Sequence, residues 1–180
     1  MSTDFILKVM IYHLKITSQE SKDLLLEVEL DKNSSFFDFH SIIQESLSFE
    51  PYQLASFFIS DGSWTRLREI SMLDMGMNGG AYLIMKKTQL GDLIKTKNQR
   101  LIYTFDFFND RSLYIELTGI IMEKNLKEPF VTLKKGDAPL QEPGENPEIQ
   151  EAASLQEEEV FMDFGVVEDY NELFGEMEDF

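Results

Sequence analysis

The chain contains no cysteine. That excludes a disulfide framework, a thiolate metal site and a cysteine nucleophile. It has only two histidines, His13 and His40, so a zinc site would need carboxylates beside both. Near the start, Asp4, Lys8 and Lys15 interrupt any signal-peptide core and any membrane span. No phosphate loop is present. Gly76-Met77-Asn78-Gly79-Gly80 lacks a following Lys-Ser/Thr and a helix start. There is no Gly-x-Ser-x-Gly elbow, and the tail lacks calcium-loop spacing despite its acids. These absences lead us to expect a cytoplasmic protein that meets no membrane and carries no cofactor or metal.

Positive charge is also missing from one place. Of 33 acidic residues, 14 lie beyond Leu140, where there is no Lys or Arg. The rest of the chain holds 19 acids against all 16 bases, a net of −3 within the total of −17. The expected organisation is therefore a nearly neutral domain over residues 1–139 and an acidic, aromatic-dotted tail over residues 140–180, partly ordered or disordered. A body of about 140 residues buries roughly two thirds of its unfolded surface and needs no staple. In the tail, Asn146-Pro147-Glu148 offers a helix start with little apolar surface behind it.

What is there reads as α+β: an antiparallel-rich sheet with one or two short helices packed on it, plus the acidic tail. Ile6 to Ile16 predicts a strand. Leu24, Leu26, Val28 and Leu30 predict the buried face of a second, with Glu27 and Glu29 wet and a hairpin joining the pair. Phe36, Phe39, Ile43 and Leu47 have helical spacing after a Ser N-cap, with Asp38 in the first turn. Leu54 to Ser60 predicts a strand closed by Asp61-Gly62, with Trp64 to Ile70 pairing back on it. Asp74 to Gly80 predicts a loop, Ala81 to Met85 a short strand, and Thr88 the cap of a short helix. Leu101 to Phe107 and Leu113 to Ile121 predict the clearest hairpin. Lys124 to Pro139, with its prolines and Gly136, predicts irregular chain.

Three segments resemble a known family. Phe36-Phe37-Asp38-Phe39-His40-Ser41-Ile42-Ile43-Gln44 is similar to a pattern aromatic-x-Asp-Leu-His-x-x-Ile-Gln. Gln53-Leu54-Ala55-Ser56-Phe57-Phe58-Ile59 is similar to His-Leu-x-x-Phe-x-Ile. Tyr103 to Ile115 is similar to Tyr-x-Tyr-Asp-Phe-Gly-Asp-x-Trp-x-His-x-Ile, with a looser likeness at Glu128 to Pro139. The order resembles the plasmid Ri open-reading-frame-three-like family, from about Ile6 to Pro139, with the tail outside it. The resemblance implies an α+β fold and a link to mobile elements, and no assigned activity. The chain departs from the pattern at Gln53, Phe108, Asn109, Arg111 and Leu113, so most of a polar site at those positions would be missing.

The candidate catalytic side chains are Asp38, His40 and Asp106, which would form a hydrolase-type set. The plainer reading gives Asp38 to the helix N-terminus, Asp106 to the hairpin turn, and His13 and His40 ordinary half-buried places. Trp64 reads as a stacking platform for a ligand or, more simply, as a lid on the core. Lys86, Lys87, Lys95, Lys97 and Arg100 form a basic cluster that would bind phosphate or, more plainly, water. Nucleic acid is the less favoured partner, because an acidic chain repels it. In the tail, Phe161, Phe164, Tyr170, Phe174 and Phe180 alternate with acids and either offer anchors to a partner or, equally, belong to a segment that only keeps the chain in solution. The favoured expectation is a non-catalytic interaction module whose tail docks on a basic surface, either of a partner protein or of its own Lys86–Arg100 cluster.

Overall fold

Alternation along the strands builds the molecule. The computed structural model describes residues 10–74, 83–122 and 126–142. β1 (Met10–Ser18) turns Tyr12, Leu14 and Ile16 to one side, and β2 (Leu25–Asp31) does the same with Leu26, Val28 and Leu30. The two pair antiparallel as the expected hairpin. After α1 (Phe36–Leu47) come β3 (Ser56–Ser60), β4 (Arg66–Ser71), β5 (Leu83–Ile84) and α2 (Leu90–Leu93). They are followed by β6 (Arg100–Asp106), β7 (Arg111–Met122) and β8 (Phe130–Lys135). The strands form one eight-stranded sheet in the order β5-β4-β3-β6-β7-β1-β2-β8, antiparallel except for β4 with β5.

The core lies between one face of this sheet and α1. Phe36, Phe39, Ile43 and Leu47 of the helix meet Phe57, Leu101, Tyr103, Phe105 and Ile115 of the strands, all buried. Phe57 is the centre of an aromatic cluster: it stacks on Phe39 at 5.0 Å and meets Phe36 at 5.4 Å and Tyr103 at 4.8 Å. Such pairs add about 0.5–1.5 kcal/mol each beyond area burial.

The opposite face of the sheet is a charge ladder. Register sets Glu27 on β2 beside Lys15 on β1, Lys15 beside Glu116 on β7, and Glu116 beside Arg100 on β6. Signs alternate across four strands, the arrangement that stabilises cross-strand neighbours. Arg100 also lies 4.8 Å over the Trp64 ring, which meets Tyr114 edge-on at 5.0 Å. Trp64 therefore rests on this face, not on the core, and its φ of 64° is held by Asp61, whose Oδ1 accepts the N–H groups of Ser63 and Thr65.

Three expectations need correction. Lys124 to Pro139 is not wholly irregular, because Phe130–Lys135 is β8, antiparallel to β2 with a bulge between Glu27 and Val28. Its prolines and lysines mark an edge strand, where they are tolerated. Thr88 does not cap α2. It is buried and its carbonyl accepts the Phe36 N–H, while Gln89 is the N-cap and the Asp92 side chain accepts its N–H at 3.0 Å. Glu29 is not wet: register sets it between His13 and Phe130, and it is buried. The loop expected at Asp74 to Gly80 and the helix expected from Asn146 fall largely or wholly outside the described residues.

Candidate functional site

α1 starts where the sequence places its cap. The Ser35 hydroxyl oxygen accepts the Asp38 N–H at 3.1 Å, and the Asp38 carboxylate accepts the Ser35 N–H at 2.8 Å. This reciprocal box satisfies two donors that a helix start otherwise leaves bare. The helix then divides its residues by spacing. Phe36, Phe39, Ile43 and Leu47 go to the core; Asp38, Ser41, Ile42 and Glu45, at intervals of three and four, face a cleft.

The far wall of that cleft is β8 and the residues entering it: Glu128, Pro129, Phe130, Val131 and Lys134. Its volume is about 680 Å³. Ile42, Val131 and Pro129 form an apolar floor, and Phe130 stands 57% exposed beside them. Three carboxylates, Asp38, Glu45 and Glu128, rim it against one ammonium. That ammonium, on Lys134, donates to the Ser46 carbonyl at the end of α1, where a cation suits the helix dipole. The cleft is a binding shape with a negative rim, and the Ser41 hydroxyl on its helix wall donates to the Phe37 carbonyl.

The core side of the same helix carries a buried polar network. Gln44 Nε2 donates to the Tyr103 hydroxyl at 2.7 Å, and that hydroxyl bonds His40 Nδ1 at 2.8 Å. All three residues are buried. Burial pushes the His40 pKa below its ordinary value, which favours the neutral imidazole whose Nδ1 shares a hydrogen bond with the Tyr103 hydroxyl. Burial pushes the Tyr103 phenol well up, against the opposing bond from Gln44, so it stays protonated. Gln44 Oε1 has no partner among the described residues.

Asp106 sits elsewhere, at the β6–β7 turn. Its carboxylate accepts the side-chain amide of Asn109 at 2.8 Å and the N–H groups of Phe108 and Asn109 at 3.1 Å. Against a desolvation that raises it, these bonds and the nearby Arg111 hold its pKa below the usual range. Arg111 is a clamp. It bonds Glu20 at 2.6 and 3.0 Å, lies 3.6 Å from Asp106, donates to the carbonyls of Leu140 and Gln141, and rests 5.1 Å over the Phe105 ring. Asp38, His40 and Asp106 thus make their hydrogen bonds to three different sets of partners.

The other sequence candidates are placed as follows. His13, on the ladder face, bonds Thr118 at 2.8 Å and lies 3.7 Å from Glu27. No group of three metal-ligating side chains occurs among the described residues. Lys86 lies 4.7 Å over the Phe37 ring, Lys87 pairs with Asp74 at 3.4 Å, Lys95 donates to the Gly91 carbonyl, and Arg100 donates to the Gly62 carbonyl. The basic cluster is therefore divided: Lys86 stands beside α1, and Arg100 lies on the ladder face. Phe161, Phe164, Tyr170, Phe174 and Phe180 lie outside the described residues. No described helix is long and apolar enough to cross a membrane. Sequence reasoning missed the cleft, whose walls lie some eighty residues or more apart in the chain, and it missed Gln44 and Tyr103 as partners of His40.

His40 and Gln44 come from the first segment of the family pattern and Tyr103 from the third, so the fold bonds the two together. Comparison with family models agrees. The model described as plasmid pRiA4b ORF-3-like protein matches residues 10–173. The chain belongs to this plasmid pRiA4b ORF-3-like family. The match corrects one expectation: the family extends past Pro139 and takes in most of the tail, including Phe161, Phe164 and Tyr170. Among solved structures, a protein of unknown function from Methanosarcina mazei Go1 is similar at 24% identity and a TM-score of 0.55, over 70% of this chain and 69% of that one. That likeness bears on the fold alone. No curated protein matches the chain.

Proposed function

We propose that this family member is a non-catalytic protein-interaction module whose acidic, aromatic-bearing tail docks on a basic surface of a partner protein. One observation carries the reading. The side chains that the sequence marks for hydrolysis all serve the scaffold: Asp38 closes the helix cap, His40 bonds Tyr103 inside the core, and Asp106 shapes a turn. Arg111, standing where the family pattern has Trp, is likewise committed to Glu20 and the chain at Leu140–Gln141. A partner's surface is favoured over the chain's own cluster by the contacts that four of the five clustered cations make within the body. Tail acids supply attraction and tail aromatics supply anchors that bury apolar area.

Calorimetric titration of the full chain with a short synthetic peptide of alternating lysine and leucine tests this. Replacing Phe161, Phe164, Tyr170, Phe174 and Phe180 with Ser, every acid kept, is expected to weaken binding at least about tenfold. Equal affinity in the two chains would leave charge alone at work and overturn the reading.

A further inference from the structure

The geometry points to a second contact for the same cationic partner, one that rests on the docking reading above: the α1–β8 cleft takes an extended segment in which Lys or Arg flank a large apolar side chain. The cleft has the parts this needs. Asp38 and Glu45 sit two turns apart on one stripe of α1, about 10 Å along the axis at 1.5 Å per residue. An extended chain covers that span in about three residues. Between the two acids lies Ile42, opposite Val131 and next to the half-exposed Phe130, so an apolar side chain has a floor. Glu128 supplies the third carboxylate on the other wall.

Charge and edge chemistry choose the occupant. The cleft holds three carboxylates against one ammonium, and Lys134 spends that ammonium on the Ser46 carbonyl. The tail of this chain, with 14 acids and no base beyond Leu140, would be repelled from such a rim. A second copy joined edge to edge is opposed by β8 itself. Pro129 stands at its start, Lys134 and Lys135 at its end, and a bulge interrupts its register, the devices that keep edge strands from pairing. A basic, apolar segment of a partner meets neither obstacle. It engages side chains in the cleft and needs no strand pairing, and its cations suit the tail as well. Two weak contacts to one partner then reinforce each other through effective concentration.

The experiment is a titration of the full chain with the same lysine–leucine peptide, followed through the methyl resonances of Ile42 and Val131. Both are expected to move and to saturate. The double variant Glu45→Lys, Glu128→Lys, altered only at exposed positions, is expected to lose those shifts and to bind about tenfold more weakly, while the shifts of tail residues persist. Glutamate–leucine peptide is expected to leave both methyls in place. The inference fails if the two methyls stay still, if they move equally in the charge-reversed chain or with the acidic peptide, or if they track protein concentration alone, which would mean a second copy fills the cleft. Shifts confined to the tail would sink this inference and leave the docking reading standing. Equal affinity after loss of the tail aromatics would sink the docking reading, whatever the cleft methyls do.

Discussion

One helix carries two kinds of polar group. On its core side, His40 and Gln44 are buried and bonded to Tyr103. On its cleft side, Asp38, Ser41 and Glu45 stand exposed. The difference follows from position on the same 3.6-residue cycle. A polar group turned inward must find a fixed partner or cost stability, so it becomes part of the fold. A polar group turned outward is under no such demand: where its own helix does not claim it, as the cap claims Asp38, it can exchange water for a ligand. Of the two catalytic candidates on this helix, His40 is on the first side and Asp38 on the second, beside Glu45, which the sequence did not single out. Breaking the two sides one at a time should therefore give opposite results: stability lost with binding spared, or binding lost with stability spared.

The largest effect is expected on the core side. Phe39→Ala removes the ring stacked on Phe57 in a site with no exposure. It should cost about 3–5 kcal/mol, read as a drop in the urea midpoint of unfolding. Tyr103→Phe comes next. It keeps the ring and deletes only the hydroxyl, leaving His40 Nδ1 and the Gln44 amide without their partner in the interior. A cost of about 1–3 kcal/mol follows. An unchanged midpoint would mean that solvent reaches the network and that the two sides of α1 differ less than their geometry implies.

His40 also gives the core side a pH signature. Its folded pKa is lowered by burial from 6.5. Above 6.5 the imidazole is neutral in both states, and its contribution is fully present. As pH falls through 6.5 towards the folded value, the unfolded chain takes up a proton that the folded one resists, and stability declines. Comparing midpoints of the native chain and His40→Gln between pH 7 and 5 isolates this share from that of the carboxylates. The native chain should lose more over that interval. Parallel curves would show that His40 titrates alike in both states.

How much of this was legible depends on distance along the chain. The α1 cap was readable because Ser35 and Asp38 are three residues apart and need no other element. The β1–β2 and β6–β7 hairpins were readable for the same reason. β8 was not. Its partner β2 lies about a hundred residues earlier, and its Pro, Lys and Gly content resembles loop until the edge position is known. Gly136, which ends it at a φ of 74°, sits so close to Asp23 that a Cβ would run into that carbonyl. The Thr88 cap failed by one residue, because the helix starts at Leu90 with Gln89 as its N-cap. The bond from His40 to Tyr103 spans 63 positions, and the family pattern names both residues without saying that they touch. The cleft needed α1 and β8 together, so it was the least legible of all.

The smallest stability effects belong to the exposed side, and they divide it further. Ser35→Ala breaks the capping box at the edge of the cleft, and about 1 kcal/mol should go with it. The Asp38 carboxylate is therefore partly committed to the fold. Glu45 and Glu128 are exposed. The Glu45→Lys, Glu128→Lys chain should unfold within about 0.5 kcal/mol of the native one in the same urea titration. The two results together grade the rim: Asp38 is half scaffold, whereas Glu45 and Glu128 are free to be spent on a ligand. If the double variant instead lost as much stability as Tyr103→Phe, those acids would be holding the wall of the cleft, and the contrast between the two sides of α1 would dissolve.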